Sequence, residues 1–226
     1  PLSINLLDAT EAVDVDTGRQ VVTVRDLTTG AEQEIGYTAL VLSPGARPVR
    51  PPIPGIERAL HLRTIEDVDA IIAALTDDVK SVAIIGGGFI GLEVAENMRH
   101  RGLDVTVIER APQILTPLDE EMAAIVEKQL TDNGITVITD GDTTTIGADS
   151  LELADGRVVP ADLVIASIGV RPANELAVAA GLAIGERGGI KVDDQQRTSD
   201  PLIFAVGDAA EKADHVSGED TLVPLA

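Results

Sequence analysis

The stretch that most limits what this chain can become is Gly86-Gly87-Gly88-Phe89-Ile90-Gly91, set directly after the apolar tetrad Val82-Ala83-Ile84-Ile85. Glycine weakens the interior of any helix or strand, so a cluster of this kind serves a turn that other residues cannot make. A buried strand that enters such a turn and leaves it as a helix opens a βαβ unit, and the spacing fits G-x-G-x-x-G. In that pattern Gly86 permits the tight turn. Gly88 has no Cβ, so a pyrophosphate can approach the backbone, and Gly91 lets the helix pack close to the strand. The helix start then presents free N–H groups to the phosphates. Residues 86–91, Gly87, Phe89 and Ile90 included, are therefore a candidate dinucleotide loop. The alternative is a glycine turn that binds nothing.

The spacing offers a second test. An acidic residue about 20 positions on, at the end of the next strand, holds the ribose hydroxyls in such units. Glu109 stands there, directly after Val105-Thr106-Val107-Ile108. A 2′-phosphate 4 Å from this carboxylate would be repelled by about 4 kcal/mol at an effective dielectric near 20, which favours NAD over NADP. Arg110 follows and softens that preference.

Around this unit the text alternates between strand and helix. Val21-Val22-Thr23-Val24-Arg25 and Glu32-Gln33-Glu34-Ile35 flank a turn, and Leu2-Ser3-Ile4-Asn5-Leu6-Leu7 also reads as strand. Leu40-Val41-Leu42 is a short strand, closed by Ser43-Pro44-Gly45. Prolines 44, 48, 51, 52 and 54 then forbid regular structure and suggest a domain boundary. Thr64 caps a helix with Val68, Ile71, Ile72 and Leu75 at helical spacing. Asp119 caps another, whose apolar face is Met122, Ile125, Val126 and Leu130, with Gly134 just past its end. Asp155-Gly156 marks a hairpin, and Leu163-Val164-Ile165-Ala166 is a further buried strand. The order is that of a doubly wound α/β domain with an antiparallel insertion.

Composition narrows the partners. A formal net charge of −21 without a basic cluster argues against nucleic acid and against anionic membranes. Aromatic residues are only 1%, so no stacking surface for single strands is available. Cysteine is absent, which removes disulfides, thiolate metal sites and thiol nucleophiles from these residues. The longest apolar stretches, such as residues 163–170, fall far short of the roughly 18 residues of a membrane span. A cytoplasmic location is the expectation. His61 and His215 lack acidic or histidine partners at metal spacing, so no metal site is expected.

The chain also echoes itself. Leu42-Ser43-Pro44-Gly45-Ala46-Arg47-Pro48 and Ala166-Ser167-Ile168-Gly169-Val170-Arg171-Pro172 each close a short strand with a glycine and Arg-Pro. The same offset applied to Gly86 places a first glycine loop before Pro1. With an opening Pro1 and no finishing signal at Leu225-Ala226, the expectation is a segment of a longer protein.

These residues resemble the flavin-dependent pyridine nucleotide–disulfide oxidoreductases, and within them the coenzyme A-disulfide reductase and NADH oxidase/peroxidase branch. Ser43-Pro44-Gly45 is similar to the family's A-T-G segment, with Pro in place of Thr. Gly86-Gly87-Gly88-Phe89-Ile90-Gly91-Leu92-Glu93 is similar to its NAD loop, and Ile168-Gly169-Val170-Arg171-Pro172-Ala173-Asn174 to its second A-x-G-x-x-P-N segment, with Ala173 between the Pro and the Asn. Thr198-Ser199-Asp200-Pro201, running through Ile203-Phe204-Ala205-Val206 to Gly207-Asp208, is similar to its second flavin motif. The resemblance implies an α/β fold: a doubly wound Rossmann-like NAD-binding domain (residues 55–178) with a β-hairpin insertion. Partial segments of a flavin-binding domain would flank it at residues 1–54 and 179–226.

It also implies roles. Ser43 and Gly45, Gly207 and Asp208 would serve FAD; Gly169 would lie by the NAD site, and Glu93, in the first turn of the helix, by the nicotinamide. Asp208 also reads as the N-cap of a helix over residues 209–212. A small-molecule substrate and a homodimer formed through a further domain are implied. The redox cysteine and first flavin loop would lie upstream, so this chain alone would bind nicotinamide cofactor but not turn over. The competing interpretation is a free-standing NAD-binding or sensing module without catalysis. A nicotinamide dehydrogenase with its own substrate site is disfavoured, because no His or Lys acid/base group accompanies the loop.

Overall fold

A computed structural model describes residues 4–214, 218 and 220–222. In chain order the strands and helices are β1 (Thr10–Asp16), β2 (Val21–Asp26), β3 (Glu32–Gly36), β4 (Leu40–Leu42), β5 (Ala46–Pro48), α1 (Ile65–Ala74), β6 (Ser81–Ile85) and α2 (Phe89–His100). Then come β7 (Asp104–Ile108), α3 (Glu120–Asp132), β8 (Ile135–Ile138), β9 (Thr143–Ile146), β10 (Ser150–Leu153), β11 (Val158–Pro160) and β12 (Leu163–Ala166). The series ends with β13 (Val170–Pro172), α4 (Glu175–Ala179), β14 (Ile190–Lys191), β15 (Ile203–Ala205), β16 (Ala210–Ala213) and β17 (Asp220–Leu222). The chain forms two compact units, Pro48–Val170 and Pro1–Arg47 with Arg171–Ala226.

The continuous unit is built on a four-stranded parallel sheet in the order β12-β6-β7-β8. Its apolar runs are continuous because both faces are covered. Alternate residues go opposite ways. Val82 and Ile84 of β6 join Val105, Val107, Leu163 and Ile165 in one core with Ile71 of α1 and Leu92, Ala95 and Met98 of α2. Ala83 and Ile85 join Ile108, Val164 and Ala166 in a second core with Ile146, Leu151, Leu153 and Val159 of the β9-β10-β11 meander. The chain runs β6, β7, β8 toward one edge and then returns to place β12 on the far side of β6. The reversal between β6 and β12 is a topological switch point, where open α/β sheets bind ligands at the carboxyl ends of their strands.

Local signals hold at several ends. Thr64 Oγ1 accepts from the Asp67 N–H, and the Asp67 carboxylate accepts from the Thr64 N–H at 2.8 Å, a complete capping box. Gly134 lies past α3 at φ +81°. The helix faces are narrower than their spacing suggests. Ile71 alone is buried on α1, while Val68 and Ile72 are exposed. On α3, Val126 and Leu130 of the expected face pack against the first core, while Met122 and Ile125 are exposed and Ala123 is buried, so the face is in part rotated. Asp119 stands at the N-cap without a side-chain cap bond.

The amino-terminal ends of β6 and β12, opposite the switch-point site, are pinned by Asp162. Its Oδ2 accepts from the Lys80 N–H (2.9 Å), the Ser81 N–H (2.8 Å) and the Ser81 hydroxyl (2.9 Å). These N–H donors hold its carboxyl below the usual carboxylate range. A lowered folded value stabilises above the ordinary carboxylate pKa, and the contribution is lost as pH falls through the folded one. Thermal midpoints measured from pH 6 down to pH 3 should therefore fall, and Asp162→Asn should flatten that fall. An identical slope in the variant would rule this out.

The second unit contains the β1-β2-β3 meander, the parallel pair β15-β4, the β14-β16-β17 sheet and α4. Its core holds Val15, Leu42, Ala177, Leu182, Ile190, Val192, Ile203 and Ala205. The first strand lies at Thr10–Asp16 and not earlier. Ile4, Leu6 and Leu7 are exposed coil, and Leu2 and Ser3 lie outside the described residues. Among the described residues no strand pairs with this stretch.

Candidate functional site

The carboxyl ends of β6, β7 and β12 bring together most of the residues singled out in the Pro48–Val170 unit. Gly86 leaves β6 at φ +110°, and its N–H donates to the Ile108 carbonyl at 2.8 Å. A Cβ at Gly86 would lie 2.3 Å from the Ser167 carbonyl oxygen, so the β12 end closes against this turn. A Cβ at Gly91 would lie 2.1 Å from the Gly86 carbonyl oxygen, which forces glycine in the first turn of α2.

Gly88 differs from both. Its φ is −81°, which any residue adopts, and a Cβ there would meet nothing within 4 Å. The fold does not require glycine at this position, and the open side lies at the start of α2. Phe89 and Ile90 follow, both exposed.

Glu109 stands at the end of β7 beside this loop. Its Oε2 accepts from the Gly87 N–H at 2.7 Å and its Oε1 from the Ala111 N–H at 2.8 Å. Each oxygen keeps a further lone pair for another donor. Arg110 is exposed. Gly169, three residues beyond β12, has φ +92° and an open Cβ direction, and its carbonyl accepts from the Val49 N–H at 3.0 Å.

Glu93 is a correction. α2 begins at Phe89, its first turn holds no acid, and Glu93 lies in the second turn, exposed. Its backbone carbonyl accepts from the Asn97 amide at 2.8 Å, and it lines a groove of about 910 Å³ between α2 and α3. At that position the helix dipole does little for the carboxylate, since the effect fades beyond the first turn.

The other unit gathers a second set. β15 and β4 run parallel, and the Val206 N–H donates to the Leu42 carbonyl at 3.0 Å. Ser43 and Gly207 thus emerge side by side, the Gly207 Cβ position lying 3.7 Å from Ser43 Oγ. Gly45 and Gly207 both have positive φ, +70° and +73°. Asp208 sits half-buried in a short 3-10 turn, Gly207–Ala209. The helix expected after it does not form. Residues Ala210–Ala213 are β16, because Glu211 turns inward and the strand pairs with β14 and β17; tertiary pairing overrides helix propensity here.

Some participants gave no signal in the sequence. Glu211 is fully buried and accepts from the Gly189 N–H at 2.9 Å and the Arg187 N–H at 3.2 Å. His61 is buried, its Nδ1 3.3 Å from the Ala166 carbonyl oxygen. Among the described residues no group of acidic, His or Cys side chains could hold a metal, and no helix is long and apolar enough to cross a membrane. His215 lies outside the described residues.

Comparisons with known proteins agree with this geometry. Residues 2–220 match the pattern described as pyridine nucleotide-disulphide oxidoreductase. An NADH oxidase of Methanocaldococcus jannaschii is 42% identical over 99% of this chain and 51% of its own length. Among solved structures, the reduced CoADR-RHD of Bacillus anthracis superposes with a TM-score of 0.92 at 39% identity, covering 96% of this chain and 40% of that one. The water-forming NADH oxidase of Lactobacillus brevis, solved bound to NADH, gives 0.87 at 28% identity, with 96% and 49% covered. The chain spans about half the length of the M. jannaschii relative.

Proposed function

The chain belongs to the pyridine nucleotide-disulphide oxidoreductase family, and from that premise we propose that its Pro48–Val170 unit binds NAD(H) across residues 86–91. The observation that carries this is Gly88, a glycine whose backbone and surroundings accept any residue. What excludes a side chain there is a ligand that comes within contact distance of the backbone. The N–H groups of the first turn of α2 face the same opening and favour phosphate. Glu109 offers its remaining lone pairs to the ribose diol and repels a 2′-phosphate, so NADH binds in preference to NADPH. The relative solved with NADH supports that choice.

In the whole protein, Ser43, Gly45, Gly207 and Asp208 serve FAD. The two positive-φ glycines would let the backbone come close to the flavin, and Asp208 would hold it through its carboxylate. The flavin held there would supply the hydride acceptor for NADH and the onward transfer of electrons to a disulfide, a peroxide or oxygen. The protein supplies binding and orientation. A cytoplasmic location goes with this reading.

Calorimetric titration of the purified chain tests the nicotinamide claim. NADH should bind about tenfold or more tightly than NADPH, a modest fraction of the repulsion expected at close range. Gly88→Leu should abolish NADH binding and leave the melting temperature unchanged, since the fold has room for the side chain. Retained binding in Gly88→Leu would sink the loop assignment, and tighter NADPH binding would sink the Glu109 argument.

A further inference from the structure

We propose that Glu109 is a positioning residue for the glycine-rich loop itself, and that loop shape and cofactor choice are held by one carboxylate. The inference rests on the NAD reading above and deepens it. In the motif the second position is nominally free, yet here Gly87 is enclosed. A Cβ at Gly87 would lie 2.8 Å from Ile114 Cγ2, 3.1 Å from Glu109 Cβ and 3.3 Å from Glu109 Oε2. Both backbone groups of Gly87 are also engaged by the connection after β7. Its N–H donates to Glu109 Oε2 at 2.7 Å, and its carbonyl accepts from the Leu115 N–H at 2.9 Å. The second carboxylate oxygen holds the Ala111 N–H at 2.8 Å. Hydrogen bonds to an ionised acceptor at these lengths are the strong class.

The half-buried carboxylate therefore ties the loop after β6 to the turn after β7 before any cofactor arrives. A ribose diol would use the lone pairs that remain. Truncating the side chain removes the ribose acceptor and frees the centre of the pyrophosphate loop together. A substitution made only to relieve repulsion of a 2′-phosphate should thus fail to yield an NADPH-binding site.

Two arms test this on the purified chain. In the first, amide hydrogen exchange is followed by NMR without nucleotide. Glu109→Ala should speed exchange at Gly87 and Ala111 by about tenfold or more and leave Val107 in the sheet unchanged. Glu109→Gln, whose single amide oxygen can keep one of the two bonds, should protect one of these sites and release the other. In the second arm, Glu109→Ala should weaken NADH by about tenfold or more and leave NADPH well short of the parent's NADH affinity, with Glu109→Gln between it and the parent for NADH. Unchanged exchange at Gly87 and Ala111 in Glu109→Ala, or a gain of tight NADPH binding, would overturn the proposal. If Glu109→Ala does not fold, the exchange pattern of Glu109→Gln decides. If the unmodified chain binds neither nucleotide, the NAD reading fails, and the exchange arm still decides whether Glu109 holds the loop.

Discussion

Gly86→Ala is expected to destabilise the Pro48–Val170 unit by about 4 kcal/mol and to eliminate NADH binding. Two costs act together. The backbone sits at φ +110°, a region that strains an L residue by about 1–3 kcal/mol. The new methyl would also lie 2.3 Å from the Ser167 carbonyl oxygen and 2.8 Å from its carbonyl carbon, both backbone atoms of the neighbouring parallel strand end. Overpacking of this kind costs about 1–3 kcal/mol or more, because rigid groups must shift. A loss of that size lowers the midpoint by about 10 °C in calorimetry. Gly88→Leu, one turn of the loop away, supplies the contrast: binding lost, stability kept. Equal melting temperatures for Gly86→Ala and the parent would contradict the steric account.

Glu211→Ala is the counterpart in the other unit. The carboxylate is fully buried between Gly185 and Gly189, whose Cβ positions would lie 2.2 Å from Glu211 Cδ and 2.6 Å from Glu211 Cβ respectively. It satisfies the N–H groups of Arg187 and Gly189. Removing it leaves those donors without an acceptor and opens a cavity, for a combined cost of about 3–5 kcal/mol. Glu211→Gln keeps one acceptor oxygen and should lose about half as much. Thermal or denaturant unfolding of the two variants checks the order. A larger loss for Gln than for Ala would show that the buried charge, and not the missing acceptors, dominates.

The contrast between these residues says how far the sequence could be read. The β6 strand, its glycine turn, α2, β7 and Glu109 were legible because each signal is local: an apolar tetrad, a glycine cluster, an acid at a fixed distance. Thr64 with Asp67 and Gly134 belong to the same class. Glu211 was not legible, since its partners at Arg187 and Gly189 are 24 and 22 residues away and no periodicity points to them. Strand β16 was not legible for the same reason: residues 210–212 are helix-compatible, and the partners that make them strand, β14 and β17, lie elsewhere in the chain. Met122 and Ile125 were assigned inward because spacing records hydrophobicity and not the direction of the neighbouring sheet. The G-x-G-x-x-G pattern leaves the position of Gly87 open, and only the side chains of Glu109 and Ile114 show that it is enclosed. Glu93 missed by a single turn, because the helix starts where the glycines end.

The bond between the Val49 N–H and the Gly169 carbonyl, 3.0 Å long, has a bearing on how the molecule comes to be assembled. β4 and β15 pair in register although Leu40 meets Ile203, and bringing such distant residues together from a disordered chain carries a large closure entropy. The Pro48–Val170 unit is continuous and can fold as it leaves the ribosome. Once it has done so, its two ends are already joined at Val49 and Gly169. The halves of the interrupted unit then meet across two short tethers instead of a long loose coil. A central unit that folds first would in this way shorten the loop that the interrupted unit has to close.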